Sequence, residues 1–176
     1  MPTHFCRLRM AIPALLLALG LTLVGGCGFQ PRGLTTGAAG LPSPIRIGGL
    51  ATFDDLYREL DRQLGIAGVE VVAVAAEGSS LLAIANLKSD SRLLSVNSRN
   101  RAVEYELIEQ ASFALSSADG HQLLGPQTLT VMRILYRPEI AVLGSDREAE
   151  LLRRDMREEL AGRIIQRLAV QRQSTQ

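Results

Sequence analysis

Apolar positions recur with two different periods along this chain, and the changes of period divide it into elements. From Pro44 to Gly49 (PIRIGG) apolar residues alternate and end in glycines, which predicts a short strand. Thr52 then offers an N-cap with Asp55 three residues on. Phe53, Leu56, Tyr57, Leu60 and Leu64 recur at helical spacing until Gly65 supplies a stop. Val69 to Ala75 is β-branched and small, and a second extended run covers Leu81 to Asn97 with a polar middle at Lys88 to Arg92. The clearest strand follows. Val103, Tyr105, Leu107, Ala111, Phe113 and Leu115 share one face that only Glu109 breaks, while Glu104, Glu106, Gln110, Ser112 and Ser116 occupy the other. Asp119-Gly120 signals a tight turn into a further strand from Leu123 to Tyr136, so a long antiparallel hairpin is predicted. Pro126 puts the beginning of that last strand at a sheet edge.

Beyond Arg137-Pro138, Ser145 with Glu148 forms a second capping-box pattern that opens the longest helix. Ala149, Leu152, Met156, Leu160, Ile164 and Leu168 fall on one stripe, against a face carrying Arg153, Arg154, Arg157, Glu158 and Arg167. The order is strand, helix, several antiparallel strands, helix. It predicts an α+β fold, a two-layer sandwich with both helices on the apolar face of the sheet and a wet or partner-facing surface on the other.

The N-terminus sets the compartment. Arg7 and Arg9 precede an apolar run from Met10 to Val24 that is interrupted by Pro13 and followed by Gly25, Gly26 and Cys27. The run is shorter than the roughly 20 residues that a spanning helix needs, so it reads as a secretory signal over residues 1–26. Leu23 to Cys27 (LVGGC) looks like a bacterial lipobox, which implies cleavage before Cys27 and lipidation of its sulfur and new amino group. Several acyl chains hold a protein on a membrane without spanning it. Gly28 rather than Asp follows Cys27, which by resemblance to bacterial sorting rules favours the outer membrane, on its periplasmic side. Residues 27–43 are rich in Gly, Pro, Thr and Ala and read as a lipidated N-terminus and linker, leaving residues 44–176 as a single domain.

Composition narrows the chemistry. Lys plus Arg is 19 and Asp plus Glu is 18, a balance that gives no reason to expect a nucleic-acid partner. With only His4, His121, Cys6 and Cys27, no zinc site of several His and Cys ligands is expected, and no cofactor is expected beyond the covalent lipid on Cys27. His121 lies in the Asp119-Gly120 turn with no Ser-His-acid set around it, and Glu104 with Glu106 reads as a charged strand face rather than a catalytic pair. A non-enzymatic protein is expected.

Several stretches, taken together, resemble the LptE family of lipopolysaccharide-assembly lipoproteins. Cys27-Gly28-Phe29-Gln30-Pro31-Arg32-Gly33 is similar to its Cys-Gly-Phe-x-x-Arg-Gly start. Ser95 to Leu107 (SVNSRNRAVEYEL) is similar to its hairpin ending in Glu-Tyr-x-Leu. Val131-Met132-Arg133 through Val142-Leu143, then Glu148 to Leu168 with Asp155-Met156, resembles its last strand and C-terminal helix. The resemblance implies two helices on a mainly antiparallel four-stranded sheet. It also implies a plug within the lumen of the large outer-membrane barrel LptD, needed to assemble that barrel and to pass lipopolysaccharide to the outer leaflet. Family members contact the anionic glycolipid through basic side chains. Thr130 and Ala83 stand where some of these are sought, so Lys88, Arg92, Arg133 and Arg137 are the candidate contacts, guanidinium groups being well matched to phosphate. The alternative is an auxiliary subunit or carrier of a phospholipid or lipoprotein transport system, which should show a concave apolar interior.

Overall fold

A computed structural model of the chain describes residues 40–74, 76–137 and 142–173. The elements run β1 (Ile45–Gly48), α1 (Asp55–Ile66), β2 (Ser80–Val96), β3 (Ala102–Ser116), β4 (Gln122–Tyr136) and α2 (Val142–Gln173). The sheet order is β1-β2-β3-β4, with β1 parallel to β2 and the other pairs antiparallel. The α+β class and the long hairpin are as the alternation predicts.

Local chemistry moves some boundaries. The cap of α1 is Asp54, whose carboxylate accepts the Leu56 N–H at 2.8 Å, so the helix opens later than a Thr52 cap requires. It runs to Ile66, and the chain turns at Gly68 (φ +79°) rather than at Gly65. The extended run expected from Val69 to Ala75 is reduced to one parallel bridge between Ile45 and Val71. Four-residue β1 offers little edge to pair with, and Val74 is 77% exposed, so β-branching alone does not hold a strand there; Ala75 lies outside the described residues. The long helix starts at Val142, with Ser145 inside it rather than capping it. Once a helix is nucleated, Gly and Ser inside it cost only about 0.5–1 kcal/mol each relative to Ala, and each residue adds a hydrogen bond.

A β-bulge determines which side chains of β2 face the helices. Ala85 pairs with Ser112 and Lys88 with Gln110, so Asn86 (φ +51°) and Leu87 together oppose Ala111. Before the bulge Leu82 and Ile84 face the helices, opposite Leu115 and Phe113; after it Ser89 and Ser91 do, opposite Glu109 and Leu107. Without the extra residue, Lys88 and Arg92 would be turned into the helix layer.

Both helices bury their stripes on that face, except that Phe53, expected on the first stripe, precedes α1 and is exposed. Leu56, Leu60 and Leu64 of α1 and Met156, Leu160, Ile164 and Leu168 of α2 join Leu82, Leu107, Phe113 and Leu115 in a core where each is essentially fully buried. Each contributes about 1.5–3 kcal/mol by leaving water. Ala149 and Leu152, at the start of the α2 stripe, are only partly buried.

Candidate functional site

The two faces of the sheet differ in chemistry. On the helix side Glu109 is fully buried, and its carboxylate accepts from the Ser89 hydroxyl at 2.5 Å and from Arg157 Nε at 3.4 Å, with Arg153 3.8 Å away. Arg153 also donates to Ser89, and Arg157 to Asp55 of α1 at 2.7 Å. The residue that breaks the apolar face of β3 thus ties the sheet to α2 and, through Arg157, to α1. Asp55 is held below the usual carboxylate range, first by the hydrogen bond from Arg58 and also by Arg157. Glu59 is held low chiefly by Arg62.

The other face carries no helix. Cross-strand pairing puts Lys88, Asp90 and Arg92 of β2 there, with Gln110, Ile108 and Glu106 of β3 and Thr130, Met132 and Ile134 of β4 opposite them. Arg92 donates to Glu106 at 2.7 Å and Ser95 to Glu104 at 2.6 Å, so Glu104 and Glu106 are separately engaged, not a free carboxylate pair. Along β4 the face is apolar: Met132, Ile134 and Tyr136 are all more than half exposed. At the opposite end of the face lies a shallow hollow of about 380 Å³, lined by small residues including Ala83, Ala85, Ser112 and Thr128. A second hollow, of about 270 Å³ between the helices, is lined by charges such as Asp55, Arg58, Arg62 and Glu158. Neither is the apolar chamber that a lipid carrier needs.

The four basic candidates do not come together. Lys88 and Arg92 share the open face. Arg133 pairs across from buried Leu107, which turns it to the helix side, where it is bound by Glu159 of α2. Arg137 sits over the Tyr105 ring, 5.9 Å from its centroid, and pairs with Asp146. The flanking buried positions Val131 and Leu135 carry the signal for this parity. The α2 pair Arg153 and Arg157, four residues apart, likewise marks the partner of Glu109. Cys27 and the expected signal lie outside the described residues. Among the described residues no helix is long and apolar enough to cross a membrane, and no cluster of metal-ligating side chains is present.

The family model of LptE, described as lipopolysaccharide-assembly, matches residues 50–168, which hold everything from α1 through Leu168 of α2. The chain belongs to the LptE family. This is a non-enzymatic family. The LPS-assembly lipoprotein LptE of Pectobacterium atrosepticum is 26% identical over 166 residues, covering 92% of this chain and 86% of the relative. That of Photorhabdus laumondii is 26% identical over 161 residues, covering 92% and 87%. Among solved structures, lipoprotein B of Nitrosomonas europaea superposes with a TM-score of 0.65 at 23% identity, covering 81% of this chain and 90% of that one. The rare lipoprotein B of Shewanella oneidensis gives 0.63 at 24%, covering 73% and 95%. These two share the fold.

Proposed function

We propose that this LptE-family chain is an outer-membrane lipoprotein, acylated at Cys27, that fills the lumen of the LptD barrel, supports its assembly and helps deliver lipopolysaccharide to the outer leaflet. The family match over residues 50–168, behind a lipobox, carries the reading. The dimensions agree with it. Four strands about 4.8 Å apart under a helix layer about 10 Å away form a body that only a large barrel admits, since eight-stranded barrels are filled by their own side chains. A barrel lumen is polar, and the open face supplies Lys88, Asp90, Arg92, Gln110 and Thr130 for it.

Lys88 and Arg92 are the contacts for lipopolysaccharide phosphates. Arg92 contributes by giving up Glu106, as Arg133 and Arg137 do only by giving up Glu159 and Asp146. Two experiments test the reading. Cys27→Ala is expected to abolish outer-membrane fractionation, and unchanged localisation overturns the lipid anchor. Lys88→Glu with Arg92→Glu is expected to reduce lipopolysaccharide captured by the purified protein several-fold with the fold intact, and unchanged capture removes these residues from the ligand surface.

A further inference from the structure

Strand β4 ends the sheet, and among the described residues no strand pairs with its outer edge. The ladder shows which backbone groups that edge leaves open. Arg137 donates its N–H to the Val103 carbonyl at 2.7 Å, so Arg137 and, in alternation, Leu135, Arg133, Val131 and Leu129 turn their backbone groups towards β3. Thr128, Thr130, Met132, Ile134 and Tyr136 turn theirs outwards. The same five residues lie on the open face, opposite Ser112, Gln110, Ile108, Glu106 and Glu104.

An edge of this length, rich in apolar and β-branched residues, is a template for another strand. The usual protections stop short of it. The irregularity between Phe113 and Leu115, which takes in Gly125 and Pro126, shields only the beginning of β4. Arg133, the one charged residue of β4, is turned to the helix side and held by Glu159. The open stretch lies between Pro126 and Pro138, and Met132 is its midpoint.

We propose that β4 pairs antiparallel with β4 of a second copy about Met132, joining two four-stranded sheets into one. The register sets Met132 opposite Met132, Thr130 opposite Ile134, Thr128 opposite Tyr136 and Arg133 opposite Val131. No like charges meet; exposed Met132 meets Met132, and Ile134 and Tyr136 of each copy lie against Thr130 and Thr128 of the other, with Ile134 diagonal to the other's Met132. One strand edge and three apolar side chains a side make a small interface against the 1,200 Å² or so that stable complexes bury, so the pairing is weak and exchangeable. It concerns the free chain and stands independently of the barrel reading.

Cysteine crosslinking of the full chain in the periplasm tests it, with the chain lacking an added cysteine as background. Met132→Cys is expected to give a disulfide-linked homodimer several-fold above Thr128→Cys or Tyr136→Cys alone, because only the symmetry centre meets itself. Thr130→Cys and Ile134→Cys expressed together are expected to give a mixed dimer. Thr130→Pro, which removes only an outward N–H, is expected to abolish the Met132→Cys adduct while the circular dichroism spectrum is unchanged. Ile134→Lys, at an exposed side chain, is expected to do the same if the proline variant unfolds. No adduct above background, adducts indifferent to register, or an adduct only with a different protein overturns the proposal.

Discussion

Replacing Glu109 by Gln removes the charge on which two arginines converge while keeping the size of the side chain. The Glu109 side chain is 1% exposed, with Arg157 Nε at 3.4 Å and Arg153 at 3.8 Å. Removing one partner of a fully buried ion pair costs about 3–5 kcal/mol. The cost is smaller here for two reasons. Both guanidiniums reach water, at 28% and 25% exposure, and Arg157 keeps Asp55 at 2.7 Å. The Gln amide oxygen still accepts from Ser89, but its NH2 faces cations. Together these give a loss of about 2 kcal/mol, or a fall in Tm of about 6–8 °C for a domain of this size. Arg157→Gln, which leaves Arg153 near Glu109, is expected to cost about 1 kcal/mol, and a double-mutant cycle between the two to show coupling of about 1 kcal/mol. Urea unfolding followed by circular dichroism measures both. A Glu109→Gln protein within about 0.5 kcal/mol of the parent refutes the assignment of Glu109 as the tie between sheet and helices.

Three further outcomes follow from the geometry. Gly49→Ala is expected to cost about 3 kcal/mol or more in thermal unfolding, because φ is +88° and the added Cβ meets the Ile84 carbonyl oxygen at 1.9 Å; a Tm within a degree or two of the parent contradicts the close approach. Asp54→Ala is expected to cost about 1 kcal/mol and Thr52→Ala almost nothing, the reverse identifying Thr52 as the cap. Asp55 and Glu59 have depressed carboxyl pKa values in the folded chain, so their stabilising contribution is present above the unfolded carboxylate range, near pH 4, and is lost as pH falls through the folded values. Acid titrations of Asp55→Asn and Glu59→Gln are each expected to show a shallower loss of stability below about pH 4 than the parent, and parallel curves contradict the linkage.

Elements with one unbroken period were legible in the sequence. The stripe on the long helix and the alternation of β3 each read directly as a buried face, and Glu109 kept its place in the pattern despite its charge because Ser89, Arg153 and Arg157 satisfy it. The facing of β2 was not legible, because one residue resets its phase. The bulge at Asn86 changes which alternate residues of β2 face out, and nothing in the local hydropathy announces it. The basic candidates do not share one face for a related reason. A list of cations carries no parity, and the pairing of Arg133 with the position of Leu107 turns it away from the open face where Lys88 and Arg92 lie. The apolar half of that face was hidden too, since Met132, Ile134 and Tyr136 alternate with the core residues Val131 and Leu135 and leave β4 apolar on both sides.

The most direct test of the proposed role is affinity purification of the tagged chain from detergent-solubilised membranes, with the co-eluting proteins identified and quantified by mass spectrometry. A large outer-membrane barrel recovered in equal amount is the predicted result. Recovery of the chain alone, or with inner-membrane transport subunits, contradicts the account and favours a lipid-transport auxiliary.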